Sequence, residues 1–141
     1  MPASIDPKFT PAHYNSFQKG SLPDLLGVEI VAIDGSGVQA RLKIVRHHLA
    51  PNGYLHAATV VMLADTCAGY GCIANLPEGA KGFTTIELKS NHLGTALDGE
   101  IECKATAVHL GRTTQVWDAI VTARGKTIAL FRCTQMVLWA R

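Results

Sequence analysis

His56–Pro77, HAATVVMLADTCAGYGCIANLP, is the stretch that decides how this chain folds. Between His56 and Glu78 its one formally charged side chain is Asp65, set among Val60, Val61, Met62, Leu63, Ala64, Cys67, Ala68 and Ile73. A helix that is apolar nearly all round is a buried one, so the stretch predicts a central helix from about His56 to Asn75, stopped by Pro77 and Gly79. It also carries one carboxylate inward, where ionisation is costly without a partner. A membrane span needs ~20 predominantly apolar residues. Here Asp65, Gly69, Gly71 and Asn75 interrupt the run, and no Lys/Arg cluster or aromatic belt flanks it, so the core of a soluble domain is the better reading.

Upstream, Thr10-Pro11 is a helix start and Gly20 a stop, with Tyr14 and Phe17 on one face. Leu22–Gly27 reads as a turn or second short helical piece. From Val28 the apolar period becomes two: Val28, Ile30 and Val31-Ala32-Ile33 lead into the turn Asp34-Gly35-Ser36-Gly37, after which Val38, Ala40, Leu42 and Ile44 alternate with Gln39, Arg41 and Lys43. Arg46–Tyr54, with Pro51 and Asn52-Gly53, is a loop that delivers the chain to the helix. Downstream lie three or four strand-like stretches, Phe83–Leu93, Ile101–Leu110, Thr113–Thr122 and Thr127–Leu138. Their short polar links suit antiparallel neighbours rather than parallel crossovers. The expectation is one α+β domain over 1–141, with an N-terminal helical segment (1–26) and a core (27–141) in which an antiparallel sheet of about five to six strands wraps one long helix.

Composition narrows the function classes. Thirteen basic against eleven acidic residues give a net charge of +2, too mild to point to nucleic acid or an anionic membrane as the partner. The opening residues lack the basic start and apolar core of a secretory signal, so a cytoplasmic location is expected. Cys67, Cys72, Cys103 and Cys133 form no C-x-x-C pair and read as small core residues. His47, His48, His92 and His109 lack the helical i, i+4 spacing with an adjacent acid of a hydrolytic zinc site, so no metal is expected.

Chemistry concentrates on the central helix. Its N-terminus, His56-Ala57-Ala58, offers unpaired N–H groups and the positive end of the helix dipole, which suit an oxyanion. Asp65 follows Ala57 by eight residues, ~12 Å along a helix axis, too far for one carbonyl to touch both groups. Either a substrate lies along the helix with a water between, or the two groups come from different subunits. A single sheet of this size also leaves part of such a helix uncovered, so an oligomer is expected.

Asn52-Gly53-x-x-His56-Ala57-Ala58, followed by Leu63-Ala64-Asp65-Thr66 and Ala68-Gly69, resembles the hotdog-fold acyl-CoA thioesterases of the phenylacetyl-CoA thioesterase-like (4-hydroxybenzoyl-CoA thioesterase) superfamily. The resemblance covers about Leu26–Leu138. It implies a homodimer, often paired into a homotetramer, that hydrolyses acyl-CoA thioesters at sites between subunits, with coenzyme A part of the substrate and no separate cofactor. By position Asp65 would be the nucleophile or general base, the Ala57 N–H would polarise the thioester carbonyl, His56 would shape that corner, and Thr85 would hold the attacking water. The family usually has Gly-Gly where Ala57-Ala58 stand and often an asparagine where Ala50 stands, a role that either falls to Asn52 from a shifted loop or is absent here. For coenzyme A phosphates, Asn91-His92 and Gly111-Arg112 are the candidate contacts. Two other functions fit the same pocket: an acyl-thioester hydratase or dehydratase, and a non-catalytic acyl-CoA-binding module. The acyl group is left open, with Tyr54, Leu55, Met62, Tyr70 and the N-terminal segment as candidate lining.

Overall fold

The central helix is present as eighteen residues, Ala57–Ala74, within one residue of the predicted bounds at each end. In the computed structural model, which describes residues 4–141, the chain runs α1 (Pro11–Phe17), α2 (Leu22–Leu26), β1 (Glu29–Ile33), β2 (Gly37–Lys43), α3 (Ala57–Ala74), β3 (Gly82–His92), β4 (Glu100–Leu110), β5 (Thr114–Ala123) and β6 (Lys126–Leu138). Residues 1–3 of the expected N-terminal segment lie outside the described residues.

All six strands belong to one antiparallel sheet in the order β1-β2-β4-β5-β6-β3. Its alternation is clean where α3 covers it: Ile101, Cys103 and Ala105 of β4, Trp117, Ala119 and Val121 of β5, and Phe131, Cys133 and Val137 of β6 are all buried. These side chains close on Leu63, Ala64, Cys67 and Ala68 of the helix in a single apolar core. A sheet curled around one long helix is the hotdog architecture that the resemblance implied.

One expectation needs correction. The short link between β3 and β4 does not join neighbours, since β3 pairs with β6 at the sheet edge and β4 lies between β2 and β5. The two strands are three spacings apart, about 14 Å at ~4.8 Å per strand. The link crosses the end of the sheet, with Leu93 and Gly94 N–H groups on the Ile128 carbonyl, the Leu55 N–H on the Ala96 carbonyl and the Ile44 N–H on the Gly99 carbonyl. It is short because it runs straight under the start of α3, and those bonds satisfy backbone groups that the sheet does not.

The N-terminal pieces are clamped to the far half of α3. Thr10 caps α1 through the His13 N–H. Asn15 makes a two-way amide bond with the backbone of Ile30 in β1, at 2.9 and 2.8 Å. Tyr14 is buried and stacks on Tyr70, ring centres 4.8 Å apart, while the Tyr70 hydroxyl donates to Gln18 Oε1 at 2.9 Å. Tyr70 is therefore sealed beneath α1 and is not open to line a pocket.

Candidate functional site

The loop before α3 sets the helix start. His48 is buried with both ring nitrogens engaged: Nδ1 accepts from the Val45 N–H (3.0 Å) and Nε2 meets the Leu26 carbonyl (2.7 Å). The His48 carbonyl in turn accepts from the His56 N–H and the Thr59 hydroxyl, each at 2.9 Å. Its role is to hold the loop.

His56 is the N-cap. Its Nδ1 accepts from the Ala58 N–H at 2.9 Å, and its carbonyl takes the Thr59 and Val60 N–H groups. The arrangement needs Nδ1 unprotonated, because a protonated ring nitrogen cannot accept. With Ala58, Thr59 and Val60 accounted for, the Ala57 N–H is the one donor of the first turn without an acceptor among the described residues. Ala57 and Ala58 are both exposed. Asn52 is exposed in the preceding turn, where its Oδ1 accepts from the Tyr54 N–H at 3.2 Å and its amide NH₂ group faces away from that bond.

Asp65 is half-buried, and its Oδ1 is fully buried without a hydrogen-bond partner. Burial alone pushes its carboxyl above the ordinary carboxylate value. The Cys133 thiol on β6 is pushed up to about 12, first by its own burial and then by the Asp65 charge. Thr85 on β3 pairs in register with Gln135 on β6 and donates to its Oε1 at 2.6 Å. The Gln135 amide nitrogen donates to Cys133 Sγ at 3.4 Å.

The direction of α3 aligns Asp65 with Thr85. The helix starts beside the link that follows β3, where Leu55 bonds Ala96, and its second half reaches the first residues of β3, where Gly69 lies against the Phe83 ring. Helix and strand therefore run in opposite senses. One turn back from Gly69 to Asp65 covers ~6 Å, and two residues on from Phe83 to Thr85 covers about the same distance the same way. Ala57 lies ~12 Å further on, towards Ser90 and His92. Among the described residues Ser90 carries the other buried side-chain oxygen without a partner, its Oγ.

The four candidate coenzyme contacts do not form one cluster. His92 pairs with Ala129 of β6, while the Thr113 carbonyl just after Gly111-Arg112 accepts from Val137 at the opposite end of that strand. Eight residues of extended chain separate the two ends, ~27 Å. Arg112 lies over the Trp139 ring, 4.3 Å from its centre, and its carbonyl accepts from the Trp139 indole at 3.2 Å. Asn91 and His92, as consecutive strand residues, face opposite sides of the sheet.

None of the five principal clefts is lined by Asp65, Ala57 or Thr85. Two of them, about 420 and 360 Å³, share Ile120 on the outer face of the sheet, and one of about 530 Å³ lies beside the helix-start loop at Arg46, Leu49, Ala50, Pro51 and Gly53. The region beside Asp65 is open, because β3 has no fully buried residue along its eleven positions and its outer edge is unpaired. Two glutamines belong to the polar row under α3 but were absent from the sequence reading: Gln135, and its register partner Gln115, which accepts from the Trp117 indole and donates to the Asn75 carbonyl, both at 2.9 Å. The signal for them was their phase, since each sits at an inward position of an alternating strand.

The fold is that of the hotdog thioesterases, and the sequence agrees. A profile of the Thioesterase superfamily matches residues 52–130, and the chain belongs to that superfamily. It is 31% identical over 114 residues to the 1,4-dihydroxy-2-naphthoyl-CoA hydrolase of Listeria monocytogenes, covering 80% of this chain and 92% of the relative. A variant of thioesterase PA1618 from Pseudomonas aeruginosa superposes with a TM-score of 0.87 at 30% identity, over 97% of this chain and 96% of that one. Thioesterase HI1161 of Haemophilus influenzae gives 0.86 at 28% identity, over 92% and 91%.

Proposed function

We propose that this protein is a cytoplasmic acyl-CoA thioesterase acting as a homodimer, with Asp65 as general base and the Ala57 N–H as oxyanion donor. The observation that carries the reading is Asp65 itself, a carboxylate with one buried, unpartnered oxygen on the side of α3 that faces an unfinished sheet edge. A raised carboxyl lies nearer to working pH, which suits a base. The thioester carbonyl accepts from Ala57, whose donor is fixed by the helix and aimed outward. Asp65 takes a proton from water as the water oxygen bonds to the carbonyl carbon; collapse of the adduct breaks the C–S bond, and the coenzyme leaves as a thiolate that is then protonated.

A two-fold pairing of β3 edges supports a site shared between chains. If two copies of Gly82–His92 pair antiparallel about the middle of the strand, near Glu87, the Ser90 level of one meets the Thr84–Thr85 level of the other. The first level is that of Ala57 and the second that of Asp65. The ~12 Å that separates them within one chain is then bridged across the axis, and the exposed Ile86 and Leu88 gain cover. In this arrangement Asn91-His92 belongs to the end of the groove nearer Ala57, and we assign the coenzyme to that end. Arg112, stacked on Trp139 at the opposite end, is left to structure.

The test is thiol release from short, long and aromatic acyl-CoAs by wild type and Asp65→Asn. Loss of an acid–base group predicts a fall in kcat of about two or more orders of magnitude. Wild-type rates in the Asn variant would overturn the reading. Double-bond hydration without thiol release would favour the hydratase alternative, and tight binding without product the binding module.

A further inference from the structure

We infer that Gln135 is a positioning residue for hydrolysis, fixing the Thr85 hydroxyl so that it accepts a hydrogen bond from the attacking water. The inference rests on the reading of Asp65 as the base.

Gln135 is a costly choice for its position. It is fully buried on the inward face of β6, flanked along that face by Cys133 and Val137, and the partner of its amide nitrogen is a sulfur. Sulfur is a weak acceptor, so an apolar side chain of similar volume would suit the core as well or better. What the amide does make is a short bond, 2.6 Å, from the Thr85 hydroxyl to Oε1. The direction of that bond has a chemical consequence. A hydroxyl has one hydrogen and two lone pairs; with its hydrogen committed to Gln135, Thr85 presents only acceptor capacity to whatever lies between it and Asp65.

A water there has two hydrogens to give, one to each acceptor. The Asp65 carboxylate takes one as the water oxygen bonds to the carbonyl carbon, and the other stays on Thr85, so the attacking lone pair points away from both. Without Gln135 the threonine hydroxyl is free to turn its hydrogen towards the Asp65 carboxylate. It would then compete with the water and rotate it out of line. The register pairing of Thr85 with Gln135 fixes this geometry through the sheet rather than through a loop.

The experiment measures steady-state thiol release for Gln135→Met, Thr85→Val and the double variant, with Asp65→Asn in parallel and thermal denaturation of each. Loss of one orienting hydrogen bond predicts a fall of about ten-fold in kcat for Gln135→Met with KM nearly unchanged. The Tm should stay at or above wild type, and the double variant should be no slower than Thr85→Val alone. An unchanged kcat in Gln135→Met, or single effects that multiply in the double variant, would overturn the inference while leaving Asp65 intact as the base. Activity in Asp65→Asn would overturn both. Should Gln135→Met fail to fold, Gln135→Leu carries the same comparison.

Discussion

The two flanks of α3 are finished to different degrees. On the β5 side Gly71 lets the Trp117 ring press against the helix backbone, the indole donates to Gln115, and Gln115 caps the Asn75 carbonyl at the helix end. Every polar group in that chain has a partner, and Trp117 has no exposed surface. On the β3 side the helix meets a strand with no buried residue and a free edge, and there the two buried side-chain oxygens without partners among the described residues are found, Asp65 Oδ1 and Ser90 Oγ. One flank is completed by the chain; the other is left open, and it is there that the proposed site would take its substrate and a second copy. Stability and chemistry are therefore separable by substitution.

The largest effect is expected on the open flank, at Ala57. It is the first helical residue, its N–H is unpaired, and the preceding His56 has φ −69° and ψ 134°, a conformation compatible with a following proline. Proline at this position keeps the helix and removes only the donor. Ala57→Pro should fold normally yet lose about 10²–10³ in kcat, as for an oxyanion-hole donor. Mixing it with Asp65→Asn under conditions that exchange subunits sharpens the comparison. If each site draws one group from each chain, half the mixed molecules are heterodimers with one intact site of two, and about a quarter of wild-type activity returns. A mixture as inactive as its components would place both groups within one chain's site.

The closed flank breaks differently. A Cβ added at Gly71 would lie 2.5 Å from the Trp117 ring, whereas one at Gly69 would lie 3.2 Å from the tip of the half-buried Phe83. Either alanine gains about 1 kcal/mol of helix propensity. At Gly71 overpacking against a locked indole costs about 1–3 kcal/mol and leaves a net loss; at Gly69 the phenyl ring can give way, and the net change is near zero. Urea denaturation of Gly71→Ala and Gly69→Ala checks this. Equal losses would show that the β3 flank is as tightly built as the other.

Much of this was legible in the sequence because it is local. The apolar run with one acid gave the helix to within a residue at each end, period-two alternation located the β1–β2 hairpin, and strand-like stretches between short polar links located β4, β5 and β6. The position of β3 was not legible, since its link to β4 has the length of a hairpin and only long-range pairing with β6 sends it to the edge. Asp65 and Ala57 stood out by charge and by place on the helix, and the free Ala57 N–H depends on His56 choosing Ala58 as its partner. Gln135 was hidden because an isolated glutamine in a strand looks like surface until the phase of Phe131, Cys133 and Val137 is followed through it. Arg112 looked available as a charge; its place over Trp139 is a tertiary fact.

The smallest expected effect concerns the stability that Asp65 withholds. Its carboxyl is raised above the ordinary value by burial, so the folded chain binds the proton more tightly than the unfolded one. Such a group favours folding most below the unfolded carboxylate value, about 3.9, and that contribution is lost as pH rises through the raised folded value. At neutral pH the ionised side chain holds a buried oxygen with no partner. Asp65→Asn removes the charge and keeps the shape, so at pH 7–8 it should melt a few degrees above wild type, on the order of 1 kcal/mol. The gap should close as pH is lowered towards 4. Thermal denaturation of both proteins across that range is the measurement. An advantage independent of pH would trace the gain to packing, and an Asn variant less stable at neutral pH would mean that the carboxylate already has a partner in the assembled protein.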